Sequence, residues 1–190
     1  MISILLASGF EETEVVTVFD ILKRGDIEDV SLISVTGNRK LHSVRNLTIY
    51  AHGKIEEVDS KEQSAIILPG GKAGVNRLRS SIFVKKLVRD AYDNGGYIGA
   101  ICEAPLVLEE VGLLKGYDYT CFQGMEKELE TGNFIDKKVV VDRQLITAQS
   151  PSSSALFAFA ILEKLKGKEV RKRIQSEWKG KCEEVSVNEE

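Results

Sequence analysis

At 190 residues with a formal charge of −3, the chain is long enough for one domain that buries roughly 70% of its unfolded surface, and it lacks the basic footprint of a nucleic-acid binder. Hydrophobic residues at 43% and charged residues at 29% are ordinary for a globular protein. The opening MISILLASGFEE has a short apolar run, no basic flank and acidic residues directly behind it, which argues against a signal peptide or a membrane span and predicts a cytoplasmic protein.

Residues 2–7 form an apolar run broken only by Ser3, as expected for a strand buried on both faces. After Gly9, Glu11, Glu12 and Glu14 open a helix in which Val15, Val18, Phe19 and Leu22 recur at helical spacing, ending near Gly25. Carboxylates in that first turn suit the positive end of the helix dipole. A second strand is expected at 29–35, and 40–58 reads as a hairpin or short strands. Residues 65–68 are a buried strand stopped by Pro69-Gly70-Gly71. An amphipathic helix over 80–94 carries Phe83, Leu87, Val88 and Ala91, followed by a strand at 97–101 and a helix at 103–111. A short strand leads into Cys121, further strands fall at 139–141 and 145–148, and helices at 153–165 and 168–178. The order of strands and helices predicts an α/β fold, a doubly wound sandwich with a mostly parallel sheet covered on both faces. It is expected to be a single domain over 1–178 with a polar tail at 179–190.

Ligands of such sheets bind beyond the carboxyl ends of the strands. Three features sit there: Gly9 to Glu14, Pro69-Gly70-Gly71, and Cys102. In GGYIGAICEAPLVL the cysteine stands between a strand and a helix with almost no loop, which is the geometry of a nucleophile elbow. Gly99, Ala100 and Ala104 are small enough for neighbouring chain to pass close by. The helix start offers unpaired N–H groups and a positive field, both favouring thiolate. The Gly70-Gly71 backbone can add an N–H to an oxyanion or an oxidised sulfur. Against this stands the plainer reading of Cys102 as a small buried hydrophobe. Cys121 reads as packing and Cys182 as exposed. Three cysteines without a CxxC pair argue against a disulfide framework and a zinc site. Glu11 and Glu12 read as solvated first-turn residues. A Glu14 carboxyl beside the sulfur would raise the thiol pKa if ionised, or donate to a thiolate if kept protonated; spacing leaves both open.

LLASGFEETE, ILPGGKAG and GAICEAP, in that order and at those separations, resemble the ThiJ/PfpI superfamily over about residues 1–175, closest to the branch of the parkinsonism-associated protein deglycase and YajL. The resemblance implies a flavodoxin-like sandwich related to class I glutamine amidotransferases and a homodimer. It implies Cys102 as nucleophile, Glu14 as the glutamate that hydrogen-bonds it, and Gly71 and Glu103 as backbone donors to the sulfur or its oxyanion. Arg24, Arg45, Phe122 and Pro151 fall at pocket positions. PfpI-type peptidases carry histidine after the nucleophile; Glu103 stands there instead, which discounts peptidase activity. Phe122 stands where the deglycase branch has a histidine, and His42 and His52, the only two histidines, read as surface residues of the hairpin region. Acid–base work would then fall to Glu14 alone.

The resemblance implies a cysteine protein of oxidative and carbonyl stress, with Cys102 as a peroxide-sensing thiol or in a redox-regulated chaperone. The alternative is a deglycase or glyoxalase in which Cys102 attacks methylglyoxal or a glycation adduct. No cofactor, metal, nucleic acid or membrane partner is implied; LPGGKAG lacks the phosphate-loop and dinucleotide fingerprints.

Overall fold

The structure, a computed structural model, describes residues 1–180. The expected tail, with Cys182, lies outside the described residues apart from its first two positions. The central sheet is built from β1 (Ile2–Leu6), β2 (Val30–Ser34), β5 (Gly53–Lys54), β6 (Ala65–Leu68), β7 (Tyr97–Ile101), β10 (Val139–Asp142) and β11 (Leu145–Ala148), in the order β10-β11-β7-β6-β1-β2-β5. Every neighbouring pair is parallel except β10 with β11. Continuous apolar strands are required because both faces are covered. Along β1, Ile4 and Leu6 enter one core and Leu5 the other; along β6, Ile66 and Leu68 part from Ile67 in the same way.

One face carries α2 (Lys72–Ser80), α3 (Ile82–Asp93) and α4 (Pro105–Val111), whose Val75, Leu78, Val84, Val88 and Val107 close over Leu5, Ile66 and Ile98. The other carries α1 (Glu12–Arg24) and α5 (Ser154–Lys166), which bury Val15, Val18, Ile21, Phe157 and Ile161 with Ile4 and Ile67. α6 (Lys168–Lys179) lies outside α5 and buries Ile174, with Trp178 edge-on to Phe159 at 5.9 Å. Gly99 lets β7 meet α5: a Cβ there would fall 2.9 Å from the Phe157 ring.

Residues 40–58 hold the expected hairpin and short strand, while the helices depart from the expectations at two places. Residues 40–58 divide: β3 (Lys40–His42) and β4 (Thr48–Tyr50) form a hairpin outside the main sheet, whereas β5 joins its edge. α2 was not anticipated, because its sequence KAGVNRLRS buries only Gly74, Val75 and Leu78 and is otherwise polar. α4 begins at Pro105, since residues 102–104 make the turn. A second small pairing joins β8 (Asp118–Tyr119) to β9 (Asn133–Phe134). Among the described residues no helix is long and apolar enough to cross a membrane.

Candidate active site

β7, β6 and β1 are adjacent and parallel, so the loops that follow them leave the same edge of the sheet. Cys102 follows β7 directly, and its backbone turns at φ 63°. An L-residue pays about 1–2 kcal/mol for that conformation. The turn is held because the Cys102 N–H donates to the Ala148 carbonyl (2.9 Å) and its carbonyl accepts from the Phe122 N–H (2.8 Å). The sharp elbow is therefore real, and the side chain is 8% exposed.

Glu14, in the first turn of α1, reaches the same spot and is 1% exposed. Its Oε2 accepts the Gly70 N–H at 2.6 Å, and its Oε1 is buried without a hydrogen-bond partner. Gly70 is the hinge of the arrangement. A Cβ there would lie 2.6 Å from Cys102 Cβ, 2.9 Å from Glu14 Oε2 and 3.2 Å from Cys102 Sγ. Only glycine lets the three loops converge. Gly71, the expected donor, comes next; it caps α2 at φ 94°, and a side chain there would collide with the Gly9 carbonyl. The Glu11 N–H donates to the Gly70 carbonyl (3.0 Å) and the Gly74 N–H to the Gly9 carbonyl (3.2 Å), tying the first loop to the second.

Burial pushes the Glu14 carboxyl up to about 8, with the Glu11 charge adding to it and the Gly70 N–H opposing. Burial also pushes the Cys102 thiol up, followed by the charges of Glu14 and Glu103, while the Glu103 backbone N–H acts against them. Burial thus works against the thiolate expected at a helix start, since α4 begins three residues beyond the sulfur. Two anions this close do not coexist in a buried site, so the pair titrates as a unit. With Glu14 protonated, its repulsion of the sulfur disappears and the acid becomes a donor. Glu103 is itself raised by burial, with Lys72 pulling it back.

Of the other expected pocket residues, Arg45 in the hairpin grips Glu11 with Nη1 at 2.9 Å from both carboxylate oxygens and stands 3.5 Å from Glu12. Glu11 is 7% exposed, and Glu12 keeps a buried Oε2 without a partner, so neither is the solvated residue expected. Arg24 is a second correction. It lies ten residues beyond Glu14 on α1, roughly 15 Å along the axis, where it pairs with Asp20 at 2.8 Å. Arg24 does not belong to the sulfur site of its own chain. His42 and His52 are exposed, held by Thr48 Oγ1 and the Leu32 N–H respectively. Cys121 is fully buried, its thiol pushed up to about 12 by burial.

Phe122 is 42% exposed and opens a groove of about 510 Å³ lined by Gln123, Glu126, Phe134, Asp136, Gln149 and Ser150. Pro151 follows Ser150 and starts a short 3-10 turn whose carbonyl accepts from Ser154. The sequence offers Gly70 as a donor and Phe122 and Pro151 as pocket positions, but not the contact of Gly70 with the sulfur, the burial of Glu11 or the acidic side chains of this groove. The double glycine and the Glu-Glu-Thr-Glu run were visible, but which glycine meets the sulfur and which glutamates are covered depends on the loops of other strands. Among the described residues no group of three or more histidine, cysteine, aspartate or glutamate side chains is placed to hold a metal ion.

The model of the DJ-1/PfpI family matches residues 1–164. The chain is 34% identical to protein dj-1beta of Drosophila melanogaster over 168 residues, covering 87% of this chain and 89% of that protein. It is 28% identical to glutathione-independent glyoxalase DJ-1 of Schizosaccharomyces pombe, covering 88% and 92%. Among solved structures, oxidized Toxoplasma gondii DJ-1 superposes with a TM-score of 0.89 at 28% identity, covering 95% of this chain and 98% of that one.

Proposed function

Because the chain belongs to the DJ-1/PfpI family, we propose that its single domain over 1–178 acts on carbonyl stress in the cytoplasm, with Cys102 and Glu14 converting a small 2-oxoaldehyde such as methylglyoxal, or its early glycation adduct, to a hydroxy acid. The observation that carries this reading is the buried Glu14 carboxyl, pushed up to about 8 and converging with Sγ on Gly70. A group with that pKa is an effective proton carrier near neutrality. The glyoxalase name of the fission-yeast relative agrees with it.

Sulfur adds to the aldehyde carbon, and the thiol proton passes by way of Glu14 to the new hydroxyl, giving a hemithioacetal. The Glu14 carboxylate then takes the hydrogen of the former aldehyde carbon as a proton, leaving its electron pair in an enediolate; the hydroxyl proton on that carbon shifts to the neighbouring oxygen, and Glu14 returns its proton to the neighbouring carbon as the thioester carbonyl forms. The product is the thioester of a 2-hydroxy acid; water cleaves its C–S bond and restores the thiol. One carbon is oxidised as its neighbour is reduced, so no outside oxidant enters. The Gly71 and Glu103 amides stabilise the oxyanions. Lactate formed from methylglyoxal is the assay: it should be lost in Cys102→Ala and Glu14→Gln, and turnover unchanged in either variant would end this mechanism.

A second reading, peroxide sensing at the same sulfur, is favoured by the Glu103 backbone N–H on Cys102, which suits a sulfinate, and by the oxidized state of the Toxoplasma relative. Its signature is a two-oxygen mass gain confined to Cys102 after mild peroxide. A homodimer is supported by the exposed Val16 of α1 and Val44, Leu47 and Tyr50 of the hairpin region, and light scattering in solution measures it.

A further inference from the structure

We propose that the outer edge of β10 is a docking site for an extended acidic segment of another protein, which joins the central sheet as a further strand. The inference does not depend on the chemistry at Cys102, since β10 is the last strand of the sheet, beyond β11. Its hydrogen bonds define the edge. The Gln149 N–H donates to the Lys138 carbonyl at 3.1 Å, and the antiparallel register sets Val140 opposite Thr147 and Asp142 opposite Leu145. Bonded and non-bonded pairs alternate along such a ladder, so Lys138, Val140 and Asp142 turn their backbone groups to β11 while Val139 and Val141 turn theirs outward. Among the described residues those outward N–H and C=O groups have no backbone partner. A strand left in this state is a template for another one.

The side chains beside the edge define the occupant. Val139 and Val141 share the face that meets α5. Val139 packs into the core there, and Val141, 40% exposed, forms with Ala160 the apolar floor of a groove of about 600 Å³. Glu163, Lys164 and Lys168 complete the lining. Glu163 is already engaged by Arg171 Nε at 2.8 Å, whereas Lys164 and Lys168 are exposed and take part in none of the ion pairs of the described residues. Lys137 and Lys138, exposed at the start of β10, add to the positive charge. Asp142, the acid at its other end, is taken by Arg143 Nε at 3.0 Å and by the Asp118 N–H at 3.0 Å. A strand laid along β10 sets an apolar side chain beside Val141, and the side chain two residues away, on the same face, reaches toward the two ammonium groups. A carboxylate at that place meets two free counter-charges, and an ammonium meets two like charges. A second copy of this chain suits the edge less well. Antiparallel pairing of two β10 edges would put both Lys164–Lys168 pairs on one face of the joined sheet, where they repel.

The test titrates the full chain, by NMR, with a capped peptide that alternates threonine first with valine and then with glutamate, and with a second peptide carrying lysine in place of glutamate. At low salt the glutamate peptide is expected to bind at least about tenfold more tightly than the lysine peptide, with a smaller margin at high salt. Lys164→Gln with Lys168→Gln should erase the preference while circular dichroism stays unchanged. Only every second N–H of an added strand faces β10, so N-methylation of one alternate set of peptide amides should abolish binding and N-methylation of the other set should leave it intact. Val141→Pro should weaken binding, because it removes an outward donor that the fold does not use and that an edge strand can lose. Equal affinities for the two peptides, a preference that survives loss of both lysines, equal effects of the two methylated sets, or no saturable binding would overturn the proposal. So would a molar mass in light scattering that falls in Val141→Pro without any peptide, which would assign the edge to a second copy.

Discussion

Replacing Glu14 with glutamine is expected to end turnover and at the same time make the fold more stable at neutral and alkaline pH. The native carboxyl, raised to about 8, keeps a proton that the unfolded chain with its ordinary value of 4.5 has already released. Between those two values the native state binds more protons than the unfolded state, so stability falls by about 1.4 kcal/mol for each pH unit gained. Over the whole window the loss approaches about 5 kcal/mol. Below 4.5 the carboxyl is protonated in both states; above about 8 it is ionised in both, and the loss levels off. Glutamine is neutral throughout. Its carbonyl can accept the Gly70 N–H, and its amide occupies the place where Oε1 has no partner. Urea unfolding of both proteins at pH 5, 6, 7, 8 and 9 measures the effect, and the other shifted carboxyls cancel in the difference. The stability advantage of Glu14→Gln should grow by roughly 3–4 kcal/mol between pH 5 and pH 8 and then flatten. Two curves that remain parallel would mean that Glu14 titrates normally, and the shared-proton argument would fall with it.

Gly70→Ala should destabilise the protein by about 1–3 kcal/mol and abolish lactate formation, because the new methyl would stand 2.6 Å from Cys102 Cβ and 2.9 Å from Glu14 Oε2; an unchanged melting temperature with full activity would contradict the convergence on that glycine. Arg45→Met should lower the melting temperature and do so more at low salt, since the buried Glu11 carboxylate loses both of its 2.9 Å contacts. The double variant with Glu11→Gln should recover much of the loss. Arg24→Met, by contrast, should leave kcat/KM at Cys102 unchanged in the monomer, because its partner is Asp20 at 2.8 Å and its place is the far end of α1.

The order of elements was legible in the chain because strands buried on both faces must be continuously apolar, and helices covering them must repeat every three to four residues. Residues 65–68 and 97–101 obey the first condition, residues 2–7 do so except at Ser3, whose hydroxyl donates to Gln63 Oε1, and α1, α3 and α5 obey the second. The elbow was legible for a related reason: a cysteine between a strand and a helix leaves no room for anything but a sharp turn. α2 escaped notice because a helix that buries three residues above a loop carries little periodic signal.

The protonation of the site lay outside the chain's local pattern altogether. Whether a glutamate is solvated or covered is decided by segments distant in sequence: Gly70 seals Glu14, and the 43–45 hairpin turn seals Glu11. Desolvation grows with the company a charge is forced to keep, and that company arrives only when three strand ends are brought side by side. Sequence determined which side chains are the candidates for the chemistry and at which edge of the sheet they stand. Tertiary structure decided that Cys102 and Glu14 are buried together and titrate as a pair, that Arg24 is elsewhere, and that an acidic, aromatic groove starts at Phe122, a backbone partner of Cys102.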